Sequence, residues 1–218
     1  MDFQPVINAA EPLTRRGAWF VSTQCIRLET PSFEQWGQEW LESGVPATLV
    51  DRVLDFQRRW GGLVLPPAAD YEGGPKVLWA EMFADAARAE FAWFGAGDCR
   101  VSMAYGFTIG PAGEFGLSID PFVPLHASIE GWIESLALAH HASHYARRIS
   151  TIRGDEIDEL ALSDFESVPE VRGLADTWWR GPDSLVSIHT GEAELFGRSR
   201  WRVARVYAGL DEWGLRGG

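Results

Sequence analysis

Cysteine is nearly absent: of 218 residues only Cys25 and Cys99 carry a thiol. They lie far apart with no second cysteine nearby to make a metal knuckle, so neither a disulfide framework nor a zinc site is indicated, which fits a reducing compartment. No run approaches the roughly 18 consecutive apolar residues of a membrane-spanning helix. The opening stretch MDFQPVINAAEPLTRR starts with an acid, carries Pro5 and lacks the apolar core of a signal peptide, so a cytoplasmic protein without a membrane partner is expected. Basic residues are also short, 19 Lys and Arg against 31 Asp and Glu, giving a formal charge of −12. Phosphate backbones and anionic membranes are poor partners for such a surface, nucleic acid is not expected as a ligand, and a basic protein would be a good one. G-x-S-x-G, the phosphate loop G-x-x-x-x-G-K-[ST] and a G-x-G-x-x-G between strand and helix are all missing. No repeat of fixed period and no low-complexity segment occurs.

What is present is apolar mass. Hydrophobic residues make up 46% of the chain, enough for a real core, and eleven tryptophans are a heavy load of large amphipathic rings, which are enriched in cores and at protein interfaces. The most informative stretch is LVDRVLDFQRRWGGLVLPP, from Leu49 to Pro67. Leu49, Val53, Phe56 and Trp60 follow the spacing of one helix face, while Asp51, Arg52, Asp55, Arg58 and Arg59 mostly take the other. Pro46 suits the start of this helix, and Gly61 or Gly62 can adopt the left-handed conformation that ends it. Leu63, Val64 and Leu65 must then be buried at once, because Pro66 and Pro67 forbid helix continuation and central-strand bonding. The stretch reads as a scaffold joint.

Taken in order, Gly17 to Arg27 reads as a first strand of aromatic and β-branched residues. Ser32 with Gln35 offers a capping box for a short helix whose stripe is Phe33, Trp36, Trp40 and Leu41, ending near Gly44, and this stripe reads as core. After the joint, Ala68 to Lys76 is a loop marked by Gly73, Gly74 and Pro75. Short apolar pieces at Val77–Trp79 and at Phe91, Trp93 and Phe94 lead to two runs, Cys99–Ile109 and Phe115–Ile119, flanking Pro111, Ala112, Gly113 and Glu114. That is a hairpin signal, and the centre of the chain is expected to be an antiparallel meander. Ser128 can cap a long helix in which Ile129, Trp132, Ile133, Leu136 and Ala139 or His140 share a face. Beyond Arg148 the texture changes: seven carboxylates and no Lys or Arg lie between Asp155 and Glu170, followed by Trp178, Trp179, the turn Gly181-Pro182-Asp183 and two more apolar runs. The expected fold is therefore α+β: a bent antiparallel sheet of about four to six strands with helices packed on it, over residues 1–150, and a C-terminal extension, residues 151–218, packed on the same domain, with a soft boundary at Ile149–Gly154.

The order of these signals resembles the SUKH superfamily, the cell-wall-synthesis-regulator-like family that includes many bacterial immunity proteins. The resemblance rests on F-x-x-R-W-G-G, the step to L-P-P, the Y-E-G-G-P loop, Y-G-F-T-I-G-P-A-G-E and V-P-L-H-A-S-I-E-G-W-I-E-S-L-A-L, and spans about Ser32 to Tyr145. The family positions would be Phe56, Gly61, Gly62, Leu65 and Pro66, then Ser128, Trp132 and Ile133; the tail after Arg148 departs from the minimal pattern. Membership implies a protein that binds and neutralises a partner toxin, without catalysis and without a cofactor.

Three groups of side chains could carry function. In AHHASHYARR, His140 and His144 stand one helical turn apart, the spacing of two-histidine metal sites, but His141 occupies the place of a zincin's general base, and a third ligand would have to come from His126, His189 or the acidic run. A metal-assisted hydrolase or transferase is the alternative this leaves open, as is a scaffold or regulatory binding protein; histidines at a helix C-terminus also suit the dipole. Glu130 and Glu134 read as a solvated i, i+4 pair, and Cys99, after Gly97 and Asp98, has no histidine near it in sequence. The acidic run reads as an amphipathic helix with Ile157, Leu160 and Leu162 inward. Its carboxylates Asp155, Glu156, Asp158, Glu159, Asp164 and Glu166, beside Trp178 and Trp179, are the expected partner-binding surface, suited to a basic toxin whose active site it would occlude. No metal site is assigned. Oligomeric state stays open.

Overall fold

The computed structural model describes residues 13–68, 71, 76–83, 93–100, 105–118 and 122–216, with the backbone alone at 98–100. The N-terminal stretch to Pro12, the Glu-Gly-Gly-Pro part of the expected loop, Phe91, the Cys99 side chain and Asp120 lie outside the described residues. The architecture is α+β, as expected, with three antiparallel sheets of three, four and five strands. The chain forms two compact units, one of residues 19–113 and one of residues 13–18 with 114–218.

The first difference from the expected order comes at once. Gly17–Arg27 is not a strand: helix α1 runs Arg15–Gln24, and only β1, Ile26–Arg27, is extended. Thr14 explains the reversal, because its carbonyl accepts the Ala18 N–H at 2.9 Å and its hydroxyl accepts the Gly17 N–H at 3.1 Å. With that cap in place, local β propensity is overridden. The division between units falls within α1.

In the first unit α2, Glu34–Glu42, and α3, Ala47–Trp60, pack together. The expected capping box of α2 is not formed: the Ser32 hydroxyl accepts the Glu34 N–H and donates to the Glu34 carboxylate. Nor is the aromatic stripe core. Gly37 is the buried residue of α2, close enough to Val50 and Leu54 that a Cβ there would sit 3.3 Å from Leu54 Cδ1, while Phe33, Trp36 and Trp40 are half-buried and Leu41 is exposed. A glycine at the crossing brings the backbones together, and the rings lean on one another instead.

Helix α3 buries Leu49, Val53, Phe56 and Trp60, the expected face, and also Val50 and Gln57. Gln57 is satisfied by the Ala80 N–H at 2.9 Å and the Thr30 hydroxyl at 3.2 Å. Pro46 occupies the N-cap, and Gly61 ends the helix at an ordinary φ of −54°; the left-handed residue is Gly62, with φ +76°. Its N–H bonds the Leu78 carbonyl and its carbonyl takes the Leu28 N–H, so the joint is stitched from both sides. Leu63 and Leu65 then point into the core from β2, Leu63–Leu65, the centre of the sheet β1-β2-β3, where β3 is Lys76–Val77. Strands β4, Phe94–Arg100, and β5, Tyr105–Ile109, form a bulged hairpin that buries Phe94, Tyr105, Phe107 and Ile109.

The second unit opens on an antiparallel pair, β6, Phe115–Ser118, and β7, Phe122–His126. Ser128 caps α4, Ile129–Tyr145, by accepting the Gly131 N–H at 3.3 Å. Ile129, Trp132 and Ile133 are buried as expected, with Trp132 stacked on Phe115, but Leu136, Ala139 and His140 are only half-buried while Ala137, Leu138, His141 and Ala142 are buried. The helix is covered on several sides, so a single-stripe reading undercounts its core. The texture change at Ile149–Gly154 falls in strand β8, Arg148–Arg153. It is followed by β9, Glu166–Ser167, β10, Asp176–Arg180, β11, Ser184–His189, α5, Gly191–Phe196, β12, Val203–Ala208, and α6, Glu212–Arg216. The five strands are ordered β8-β12-β11-β10-β9, and one face of this sheet supplies Trp178, Leu185 and Tyr207 to a core shared with Leu138 and Ala142 of α4. Among the described residues no helix is long and apolar enough to cross a membrane.

A Cβ on Gly62 would lie 2.2 Å from the Leu28 carbonyl oxygen, whereas one on Gly44, at φ +90°, would meet nothing within 4 Å. Gly62→Val is therefore expected to cost more than about 2 kcal/mol and Gly44→Ala only about 1 kcal/mol, the left-handed strain alone. Urea denaturation of the two variants measures the difference; equal losses would show that the joint does not depend on close approach.

Candidate functional site

The acidic run is not the expected amphipathic helix. Gly154 turns the chain at φ +60° with its N–H on the Arg202 carbonyl, a single 3₁₀ segment covers Gly154–Glu159, and the chain is then irregular as far as β9. Ile157 is the inward anchor; Leu160 and Leu162 are half-buried. Asp155, Glu156, Asp158 and Glu159 are exposed on the 3₁₀ segment, and Asp164 and Glu166 are exposed farther along. Asp158 grips the Arg202 guanidinium with both oxygens, at 2.7 and 3.1 Å, and this bond holds its carboxyl below the usual range. Asp155 also faces the Arg202 charge. Glu156, Glu159, Asp164 and Glu166 make no ion pair among the described residues. Glu170, counted with the run by sequence, is instead half-buried and bonded to Arg16 and Arg180.

The tryptophan pair divides. Adjacent residues of a strand face opposite ways, and Trp178 is 1% exposed, stacked on Tyr207, with its indole N–H donated to Ser135 at 2.8 Å. It is a core residue, which corrects its place in a surface site. Trp179 is half-buried on the other face, opposite Ser167 of β9, where Glu166 stands opposite Arg180. The register therefore separates Trp179, which shares a face with Ser167, from Glu166, which shares the opposite face with Arg180.

The histidines are dispersed by role. His140 and His144 lie ring to ring at 4.5 Å, and His144 donates from Nδ1 to the His140 carbonyl. His141 is buried and bonded to the Trp213 carbonyl at 2.9 Å. Among the described residues no three His, Cys, Asp or Glu side chains are placed to hold a metal ion. The two histidines considered as third ligands, His189 and His126, have partners elsewhere. His189 bonds Asp176 at 3.0 Å, and Asp176, fully buried, also accepts the Thr190 and Gly191 N–H groups at the start of α5. His126 is fully buried nearby, with Nδ1–H on the Val171 carbonyl at 2.8 Å and, among the described residues, no partner for Nε2. Sequence reasoning missed this cluster because its members are 13 to 63 residues apart and no spacing links them.

The first unit holds a cleft of about 360 Å³ lined among others by Arg27, Thr30, Phe33, Glu34 and Gln57. Arg27 and Gln57 already bond the protein there, Arg27 through the Arg59 and Gly61 carbonyls at 2.7 and 3.1 Å. Comparison of the chain with protein-family models, with curated proteins and with solved structures finds no match.

Burial pushes His126 down to about 4, against the pull of Asp176 and the Val171 carbonyl, while the neighbouring His189 lowers it further. Its folded value lies below its unfolded one of about 6.5, so its contribution is complete above pH 6.5 and is lost as pH falls towards 4, at most about 3 kcal/mol. The loss of stability between those pH values should shrink by about this amount in His126→Asn, which retains an N–H for Val171. Denaturation curves with the same pH slope in both proteins would contradict the assignment.

Proposed function

We propose that the chain is a SUKH-type immunity protein that binds a basic bacterial toxin and occludes its active site through the acidic surface of residues 155–166. The observation that carries the reading is the exposed, unpaired set Glu156, Glu159, Asp164 and Glu166, within a protein of formal charge −12. Trp179, half-buried opposite Ser167, is an aromatic group on the same strand edge but on the sheet face opposite to Glu166. The motif order from Phe56 to Leu138 supports the family part of the reading.

Carboxylates held in water lose no solvation until a partner arrives, so they act first on encounter, and a surface of one sign raises the association rate of an oppositely charged protein. A toxin that works on nucleic acid carries a basic substrate groove. An inhibitor presenting carboxylates fits that groove in place of phosphate.

The test is binding and growth rescue with the toxin encoded beside this chain. Glu156→Lys with Glu159→Lys is expected to slow association about tenfold or more at low salt and to weaken rescue, with the wild-type rate falling steeply between low and physiological ionic strength. Association indifferent to both salt and charge reversal would reduce the carboxylates to a solvated face. A neighbouring toxin bound no better than an unrelated basic protein would end the reading.

A further inference from the structure

The edge strand β8 is built unlike a protected edge. It runs six residues, Arg148–Arg153, in unbroken register with β12, and it has neither a proline nor a bulge. Its middle, Ile-Ser-Thr-Ile, is uncharged and mostly β-branched, and five of its six residues are exposed, Ile149 to 45%. Strands left open in this way usually carry one of the missing devices, since an open row of amides invites another chain.

The ladder fixes which groups are open. The Gly154 N–H bonds the Arg202 carbonyl, one step beyond the pair Arg153 and Val203. In an antiparallel pair hydrogen-bonded and non-bonded positions alternate. Ser150 and Ile152 therefore bond β12, while the N–H and C=O groups of Ile149, Thr151 and Arg153 point away from it. Among the described residues nothing pairs with that side.

We propose that β8 is a docking edge that accepts an extended segment of a partner protein as an added antiparallel strand, with a carboxylate at each end of the segment. The two ends of β8 choose the occupant. Arg148 and Arg153 are exposed and make no ion pair among the described residues. A second copy bonding through the same outward groups would centre on Thr151, setting each Arg153 opposite Ile149 of the other copy, and would supply neither arginine with a counter-charge. A segment reading acid, apolar, Thr or Val, apolar, apolar, acid would instead place acids opposite Arg153 and Arg148, and its fifth residue would cover Ile149. Main-chain bonds supply the attachment and the alternate side chains the selectivity, as in other strand additions. This inference does not depend on the toxin reading, because it concerns a basic edge and not the acidic run.

The probe is a blocked ten-residue peptide with Glu-Val-Thr-Val-Ile-Glu at its centre, titrated into the full-length protein and followed by amide NMR and hydrogen exchange. Without peptide, the amides of Ile149, Thr151 and Arg153 should exchange fast and those of Ser150 and Ile152 slowly. With peptide at about 1 mM, shifts should be confined to residues 148–153 and the edge, and the three fast amides should slow. Thr151→Pro, which removes an outward N–H and fills no ladder position, should abolish the effect, with folding verified by its melting temperature. Arg153→Glu, which leaves the backbone intact, should weaken binding about fivefold. No shift at about 2 mM peptide, equal binding of the peptide with Lys for both Glu, or protection that grows with protein concentration alone would each overturn the proposal.

Discussion

Glu134 holds the second unit together. Its side chain is 3% exposed, and its carboxylate takes the Thr14 N–H at 2.5 Å, the Thr14 hydroxyl at 2.8 Å and the Arg16 guanidinium at 3.5 Å. Arg16 reaches on to Glu170 at 3.2 Å and the Arg216 carbonyl at 3.0 Å; Arg180 meets Glu170 at 3.1 Å and the Leu215 carbonyl at 3.2 Å. One chain of charge thus joins the start of α1, the middle of α4, the turn at Glu170, β10 and α6. Gly17 is required by it, since a Cβ there would lie 2.3 Å from Glu134 Oε1. Burial raises the Glu134 carboxyl above its ordinary range, although the Thr14 bonds and Arg16 oppose it. Burial also acts upward on Glu170, but the bonds from its own backbone and Arg16 and the charges of Arg16 and Arg180 prevail, and that carboxyl sits low. A buried network of this kind adds little net stability over an apolar core of equal volume, yet removing one member strands the others at a cost of several kcal/mol. Its role is to fix a single arrangement of five chain segments.

That constraint explains what the sequence concealed. Glu130 and Glu134 show the spacing of a wet helix face, and nothing local reveals that Glu134 caps a helix 120 residues earlier. The same bond is why Gly17–Gln24, rich in aromatic and β-branched residues, is helical: its cap, Thr14, is oriented by a carboxylate from far along the chain. The α3 joint was legible because its determinants are local, a 3.6-residue period and two glycines before two prolines. The turn at Pro111–Glu114 and the Ser128 cap were legible for the same reason, whereas the run Cys99–Ile109 is divided between β4 and β5 and Phe122–His126 is a strand that Pro124 concealed. The acidic run misled in the opposite direction: Ile157, Leu160 and Leu162 suit a helix by spacing, but Gly154 and the bond from Asp158 to Arg202 hold a short 3₁₀ segment instead.

For the candidate surface, the carboxylates were legible and their companions were not. Exposure of Asp and Glu follows from solvation alone, so their placement in water needs no long-range information. Which tryptophan stays outside depends on strand phase, and phase is set by pairing with β9 and β11. Trp178 faces Ser135 because β10 is locked to β11 from Asp176 through Arg180, leaving Trp179 on the other side.

The sign of charge changes between Arg153 and Asp155, where β8 ends and the acidic segment begins. Fields from exposed charges fade over about 8 Å at physiological salt. At larger separations a partner therefore senses the summed charge of −12 and not the arginines of β8. At contact the order reverses, because main-chain bonds along an edge and an acid set on Arg153 act only at short range. The two proposed surfaces would thus govern different steps, the carboxylates the rate of encounter and the β8 edge the lifetime of the complex. A single partner could satisfy both if a broadly basic surface carries one acid-ended extended segment.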